Sequence, residues 1–111
     1  MSGSPTALVH GLAIAGEATV RALLARGYRV IAADDVLTDA RRALADELGI
    51  DVVEAPDGDA IRSLVRSVDL VSPSPGVPET HALVRTALEL GVPLRTEIDL
   101  AHEWEQQRPG G

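Results

Sequence analysis

Short runs of branched aliphatic residues alternate with longer stretches of helical spacing five times along this chain, and three of the helical stretches close on a glycine. Few folds accept that order. A strand, a helix and the next strand repeated at this interval imply right-handed crossovers and a parallel sheet covered on both faces. The first strand is read at Ala7–His10, ending on Gly11. A helix follows over Gly16–Arg26, with Val20, Leu23 and Leu24 on one face and Gly27 as its stop. Arg29–Ala33 is the second strand, closing on Asp34 and Asp35. Thr38 is placed to cap the next helix, which presents Ala40, Leu44 and Leu48 and ends at Gly49.

Ile50–Val53 gives a third strand, and a helix from about Asp57 aligns Ile61, Leu64, Val65 and Val68. Asp69–Ser72 is the fourth strand. The proline-rich stretch from Pro73 to Pro78 excludes helix and central strand, and reads as a stiff loop. The fourth helix carries Ala82, Leu83, Ala87 and Leu90 to Gly91, and Val92–Arg95 reads as a fifth strand. Thr96 and Asp99 resemble a capping box opening a last helix with Ile98, Leu100, Ala101 and Trp104. The expected fold is α/β: a Rossmann-like three-layer domain with a five-stranded parallel sheet. Residues 1–105 form the domain and 106–111 a linker.

Composition narrows the chemistry. A chain of 111 residues fits one domain and can bury roughly 65% of its unfolded surface. With no Phe, one Tyr and one Trp, the core must be filled by Val, Leu, Ile and Ala. Net charge is −7, which argues against nucleic acid and against an anionic membrane surface as partners. Every basic residue other than His is Arg, so Schiff-base chemistry and a phosphate-loop lysine are excluded within the chain. There is no Cys. No apolar run approaches a membrane span of ~20 residues, and Met1–Thr6 has no signal-peptide pattern, so the expectation is cytoplasmic.

Ligands of open parallel sheets sit outside the carboxyl ends of the strands. Three loops fall there. Gly11-Leu12-Ala13-Ile14-Ala15-Gly16 matches G-x-G-x-x-G with Ala13 in the middle place. Glycines there allow backbone N–H groups to approach a phosphate at a helix N-terminus; a plain strand-to-helix turn is the competing reading. Asp34 and Asp35 end the second strand, eighteen and nineteen residues after Gly16. A carboxylate there can accept from a ribose hydroxyl or a base N–H, and two acids repel a 2′-phosphate; a solvated turn is the alternative. Ser74-Pro75-Gly76 is a rigid loop where Gly76 leaves room for a ligand, or simply a rigid turn. His10 reads as structural, and His81 and His102 as solvated. Their spacing makes no metal site, and no nucleophile–base pair stands out. No residue of the chain is assigned a catalytic role.

These loops, in this order, resemble the Mur ligases. The more specific parts are Ser74-Pro75-Gly76 after the fourth strand and Glu97-Ile98-Asp99-Leu100 following Gly91-Val92-Pro93. The resemblance runs from Ala7 to about Glu105, and its nearest pattern is that of the members joining D-glutamate to UDP-N-acetylmuramoyl-L-alanine. It implies a UDP-sugar-binding domain of an ATP-dependent acid–amino-acid ligase of peptidoglycan synthesis. Leu12, Ala13, Ile14, Ala15 and Gly16 would then lie near the diphosphate and uridine. Asp34 and Asp35 would hold the uracil and ribose, and Ser74, Pro75 and Gly76 the diphosphate and sugar. It further implies that ATP and magnesium belong to the parent ligase and not to this chain, and that the other ligase domains are its partners. Ala13 departs from the glycine common at that place. An NAD-binding or nucleotide-sensing regulatory module also fits the first two loops, but has no use for the last two motifs. A ligand-free interaction module remains a third reading.

Overall fold

The computed structural model describes residues 4–12, 14–73 and 80–107. The described chain runs β1 (Thr6–His10), α1 (Ile14–Ala25), β2 (Arg29–Asp34), α2 (Asp39–Leu48), β3 (Asp51–Glu54), α3 (Gly58–Arg66), β4 (Leu70–Pro73), α4 (Ala82–Leu90) and α5 (Glu97–Gln107). The four strands are parallel and lie in the order β3-β2-β1-β4.

Alternation along the strands builds the three layers, because successive side chains point to opposite faces. Ala7, Val9, Val30, Ala32 and Leu70 face one way and pack with Val20 and Leu23 of α1, Ala45 of α2 and Leu100 of α5. Leu8, Ala33 and Val71 face the other way and pack with Ile61 and Val65 of α3 and Leu83 and Ala87 of α4. β1 lies between two neighbours, and its residues Ala7 to His10 are all buried. β3 is the edge, with Asp51 and Glu54 exposed. The aliphatic core is therefore two small cores, one on each face of the sheet.

Among the described residues the sheet has four strands, not the five expected. Residues 92–95 contribute only an isolated parallel bridge between Val71 and Leu94. Val71 N–H donates to Pro93 O and Arg95 N–H donates to Val71 O. Pro93 has no N–H to extend that ladder, and Val92 N–H is spent on Ala87 O at the end of α4. The segment was legible as extended but not as too short and too poor in donors to count as a strand.

Helix ends follow the sequence closely. Thr38 Oγ1 accepts from Arg41 N–H at 3.2 Å, and Asp57 caps α3 through Ala60 N–H at 2.9 Å. α2 stops at Gly49, whose φ of 70° suits a residue without Cβ. The capping box at α5 is reciprocal: Asp99 N–H donates to Thr96 Oγ1 at 3.2 Å, and Thr96 N–H to Asp99 Oδ2 at 3.0 Å. α1 begins two residues before Gly16, so the last glycine of the loop motif lies inside the helix. Among the described residues no helix is long and apolar enough to cross a membrane.

Candidate functional site

The strand order creates a crevice. Connections lead from β1 outward to β2 and β3, then jump back to β4 on the other side of β1. Beyond the carboxyl ends of β1 and β4 the crossovers diverge, and that gap is where open parallel sheets hold ligands. The loop after β1 enters it through Gly11, whose φ of 94° demands glycine and whose N–H donates to Ala33 O at 2.7 Å. Leu12 follows with its side chain buried in the core. Three residues after Gly11 the chain is already helical, so the N-terminus of α1 opens at this edge.

The two adjacent acids do different things. Asp34 is buried, and its carboxylate is occupied. Oδ2 accepts from Leu12 N–H at 2.9 Å, Oδ1 accepts from Val36 N–H at 3.1 Å, and Arg41 donates to both oxygens at 3.0–3.1 Å. Arg41 also donates to Val36 O. Asp34 thereby ties the loop after β1 to the turn after β2. Asp35 points outward, with its side chain 59% exposed. Its Oδ1 lies 3.5 Å from His10 Nε2 and its Oδ2 lies 3.3 Å from His81 Nε2.

The rings of His10 and His81 stand 4.5 Å apart and tilted by 57°. His10 ends β1 and is buried. His81 is the N-cap of α4, its Nδ1 accepting from Leu83 N–H at 3.1 Å. Burial holds the His10 imidazole below its ordinary pKa, helped by neighbouring His81 and opposed by Asp35 and Asp34. Burial pushes the Asp35 carboxyl up, but the His81 and His10 imidazoles outweigh it and leave Asp35 below the usual carboxylate range.

Of the residues singled out from sequence, the structure brings Leu12, Asp34 and Asp35 to one edge, with the backbone of Ile14, Ala15 and Gly16 in the first turn of α1. Ala13 and Ser74, Pro75 and Gly76 lie outside the described residues. The sequence reading missed His10 and His81 as partners of Asp35. One signal was available: His10 and Asp35 both sit at the carboxyl ends of neighbouring parallel strands. An open depression of about 400 Å³ beside α5, lined by Arg95, Ile98, Asp99, His102 and Glu103, shares no residue with this cluster.

In class, then, the molecule is a Rossmann-like domain with an acid-lined crevice at its switch point. Among solved structures it is similar to the UDP-N-acetylmuramate:L-alanyl-gamma-D-glutamyl-meso-diaminopimelate ligase of Neisseria meningitides, with a TM-score of 0.71 and 18% identity over 85% of this chain and 29% of that one. It is equally similar to the UDP-N-acetylmuramate-alanine ligase of Thermotoga maritima, with a TM-score of 0.71 and 19% identity, covering 93% of this chain and 23% of that one. Saccharopine dehydrogenase of Saccharomyces cerevisiae shares the fold at a TM-score of 0.67 and 20% identity, over 84% of this chain and 21% of its own. These likenesses establish the fold. Sequence is more specific. The chain is 40% identical over 96 residues to the UDP-N-acetylmuramoylalanine–D-glutamate ligase of Rubrobacter xylanophilus, and 37% identical over 97 residues to that of Geobacillus kaustophilus. Each match takes in 86% of this chain. No protein-family model matches. Over most of its length the chain is similar to one region of the UDP-N-acetylmuramoylalanine–D-glutamate ligases. It spans about a fifth of the length of these relatives, 21% in both cases.

Proposed function

We propose that this domain binds the UDP portion of UDP-N-acetylmuramoyl-L-alanine for an ATP-dependent, cytoplasmic ligase that adds D-glutamate in peptidoglycan synthesis. The observation that carries this reading is the 40% identity to a ligase named for that substrate pair, over nearly the whole chain. The geometry supports it. The N-terminus of α1 lies at this edge, and the first turn of a helix is a favourable place for a diphosphate. Asp35 has an exposed carboxylate that can accept from the uracil N3–H or a ribose hydroxyl. Asp34, already filled, shapes the loop instead of meeting the ligand directly. Ser74, Pro75 and Gly76 complete the diphosphate and sugar side in this reading. ATP and magnesium are assigned in this reading to the parent ligase, since the chain has no lysine for a phosphate loop. The domain's work is to hold and orient one substrate for the rest of the ligase.

Backbone NMR titration with UDP-N-acetylmuramoyl-L-alanine and, separately, with NAD tests the reading. Shifts at Gly11, Leu12 and Asp35 with the UDP-sugar are expected. Shifts with NAD alone would overturn it in favour of a dinucleotide module, a ligand class that other Rossmann-like folds accommodate.

A further inference from the structure

The contact between Asp35 and His81 joins two elements that no strand pairing connects. Asp35 follows β2; His81 opens α4, beyond β4. The crevice lies between them. What fixes the contact is the proton on His81. Its Nδ1 accepts from Leu83 N–H at 3.1 Å, so in the neutral ring Nδ1 carries the lone pair and Nε2 carries the hydrogen. Nε2 is the atom facing Asp35 Oδ2 at 3.3 Å. Capping α4 therefore makes His81 an obligatory donor to Asp35. His10 Nε2 approaches the other oxygen from the buried end of β1. Each carboxylate oxygen has two acceptor positions, so an imidazole on either oxygen leaves capacity on the solvent side.

We propose that His81 is a positioning residue: held in one tautomer by its helix-capping bond, it fixes the Asp35 carboxylate toward the ligand and sets the spacing of β2 and α4 across the crevice. The proposal rests on the UDP-sugar reading only for its ligand arm. It also answers a rival use of the same atoms. His10, Asp35 and His81 each offer a ligand atom, all within 4.8 Å of one another, which is a spacing that could hold a metal ion. A metal at His81 Nε2 needs the lone pair there, which moves the proton to Nδ1 and sets it against Leu83 N–H. Metal binding and capping exclude each other.

The experiment has ligand-free and ligand-bound arms on the full chain. Long-range proton–nitrogen NMR of the imidazoles at neutral pH is expected to show His81 with hydrogen on Nε2, and Asp35→Ala is expected to shift that proton's signal. Hydrogen on Nδ1, or a signal indifferent to Asp35, overturns the proposal. So does stoichiometric uptake of Zn²⁺ that moves His10 and His81 together. In the ligand arm, His81→Asn keeps a good N-cap but is too short to reach Asp35. It should melt like wild type yet bind the UDP-sugar about fivefold more weakly, the worth of one hydrogen bond. If His81→Asn keeps wild-type binding as well as wild-type stability, His81 is only a cap. If instead Asp35→Ala binds the UDP-sugar like wild type, the uridine assignment at this loop fails, while the ligand-free arm still decides whether His81 holds Asp35.

Discussion

Asp34 and Asp35 are neighbours in sequence with opposite surroundings, and single substitutions should separate them. Asp34→Ala removes the acceptor for Leu12 N–H in the buried loop and for Val36 N–H, and takes the carboxylate from Arg41, which keeps only its bond to Val36 O among those described. Stranding buried donors should cost about 2 kcal/mol of stability, with ligand affinity falling as the loop loosens. Asp35→Ala removes an exposed carboxylate, so thermal melts should move little while calorimetric affinity for the UDP-sugar falls about tenfold, equivalent to ~1.4 kcal/mol. Equal stability losses in the two variants would contradict this division. The sequence placed both acids at the right edge. It could not say which one turned inward, because that depends on Leu12 N–H arriving from a loop twenty-two residues earlier.

His10 sets a pH dependence at the same scale. The folded protein keeps this ring neutral at pH values where the unfolded chain, with an ordinary histidine near 6.5, takes up a proton. The depressed folded value means that His10 costs nothing above about pH 6.5 and that stability declines as pH falls from there toward the folded pKa. Asp35 adds a pH dependence only in more acidic solution. Its own depressed value gives stability that is present above the ordinary carboxylate range and is lost as pH falls through the folded pKa. Thermal melts between pH 7 and 5 should show the decline in wild type and a shallower one in His10→Gln. An unchanged slope in the variant would assign the dependence elsewhere.

At the scale of elements, local chemistry was legible wherever one short segment contains the whole signal. The glycine stop of α2, the Thr38 cap and the α5 capping box all span four residues or fewer between partners. Strand count was harder, because whether residues 92–95 pair depends on which donors face Val71. The Asp35–His81 contact, forty-six residues apart, needs the sheet order before it can be foreseen. The capping box also makes a prediction. α5 brings Leu100 into the core and Trp104 under Arg26, whose guanidinium lies 4.3 Å from the ring. Thr96→Ala should destabilise the domain by about 1 kcal/mol, the usual cost of losing an N-cap. Denaturant unfolding followed by fluorescence of Trp104, the only tryptophan, reads that loss directly at α5. A midpoint equal to wild type would show that the helix start is held by packing alone.

For the whole molecule, the decisive fact is what its composition withholds. The fold supplies a crevice, a helix N-terminus and an exposed acid, which in the proposed function hold a nucleotide sugar. Acyl activation by ATP requires more: a cationic cradle on the β- and γ-phosphates and a bound divalent ion. The chain carries no lysine to supply that cradle. It matches 21% of the length of its ligase relatives. Binding and chemistry should therefore part company in this chain. Purified protein given UDP-N-acetylmuramoyl-L-alanine, D-glutamate, ATP and Mg²⁺ should release phosphate no faster than a boiled control, while the same preparation binds the UDP-sugar by calorimetry. Phosphate release above the control that depends on the UDP-sugar would mean that arginines or backbone groups of this domain activate ATP, and that binding and chemistry are not divided in this way.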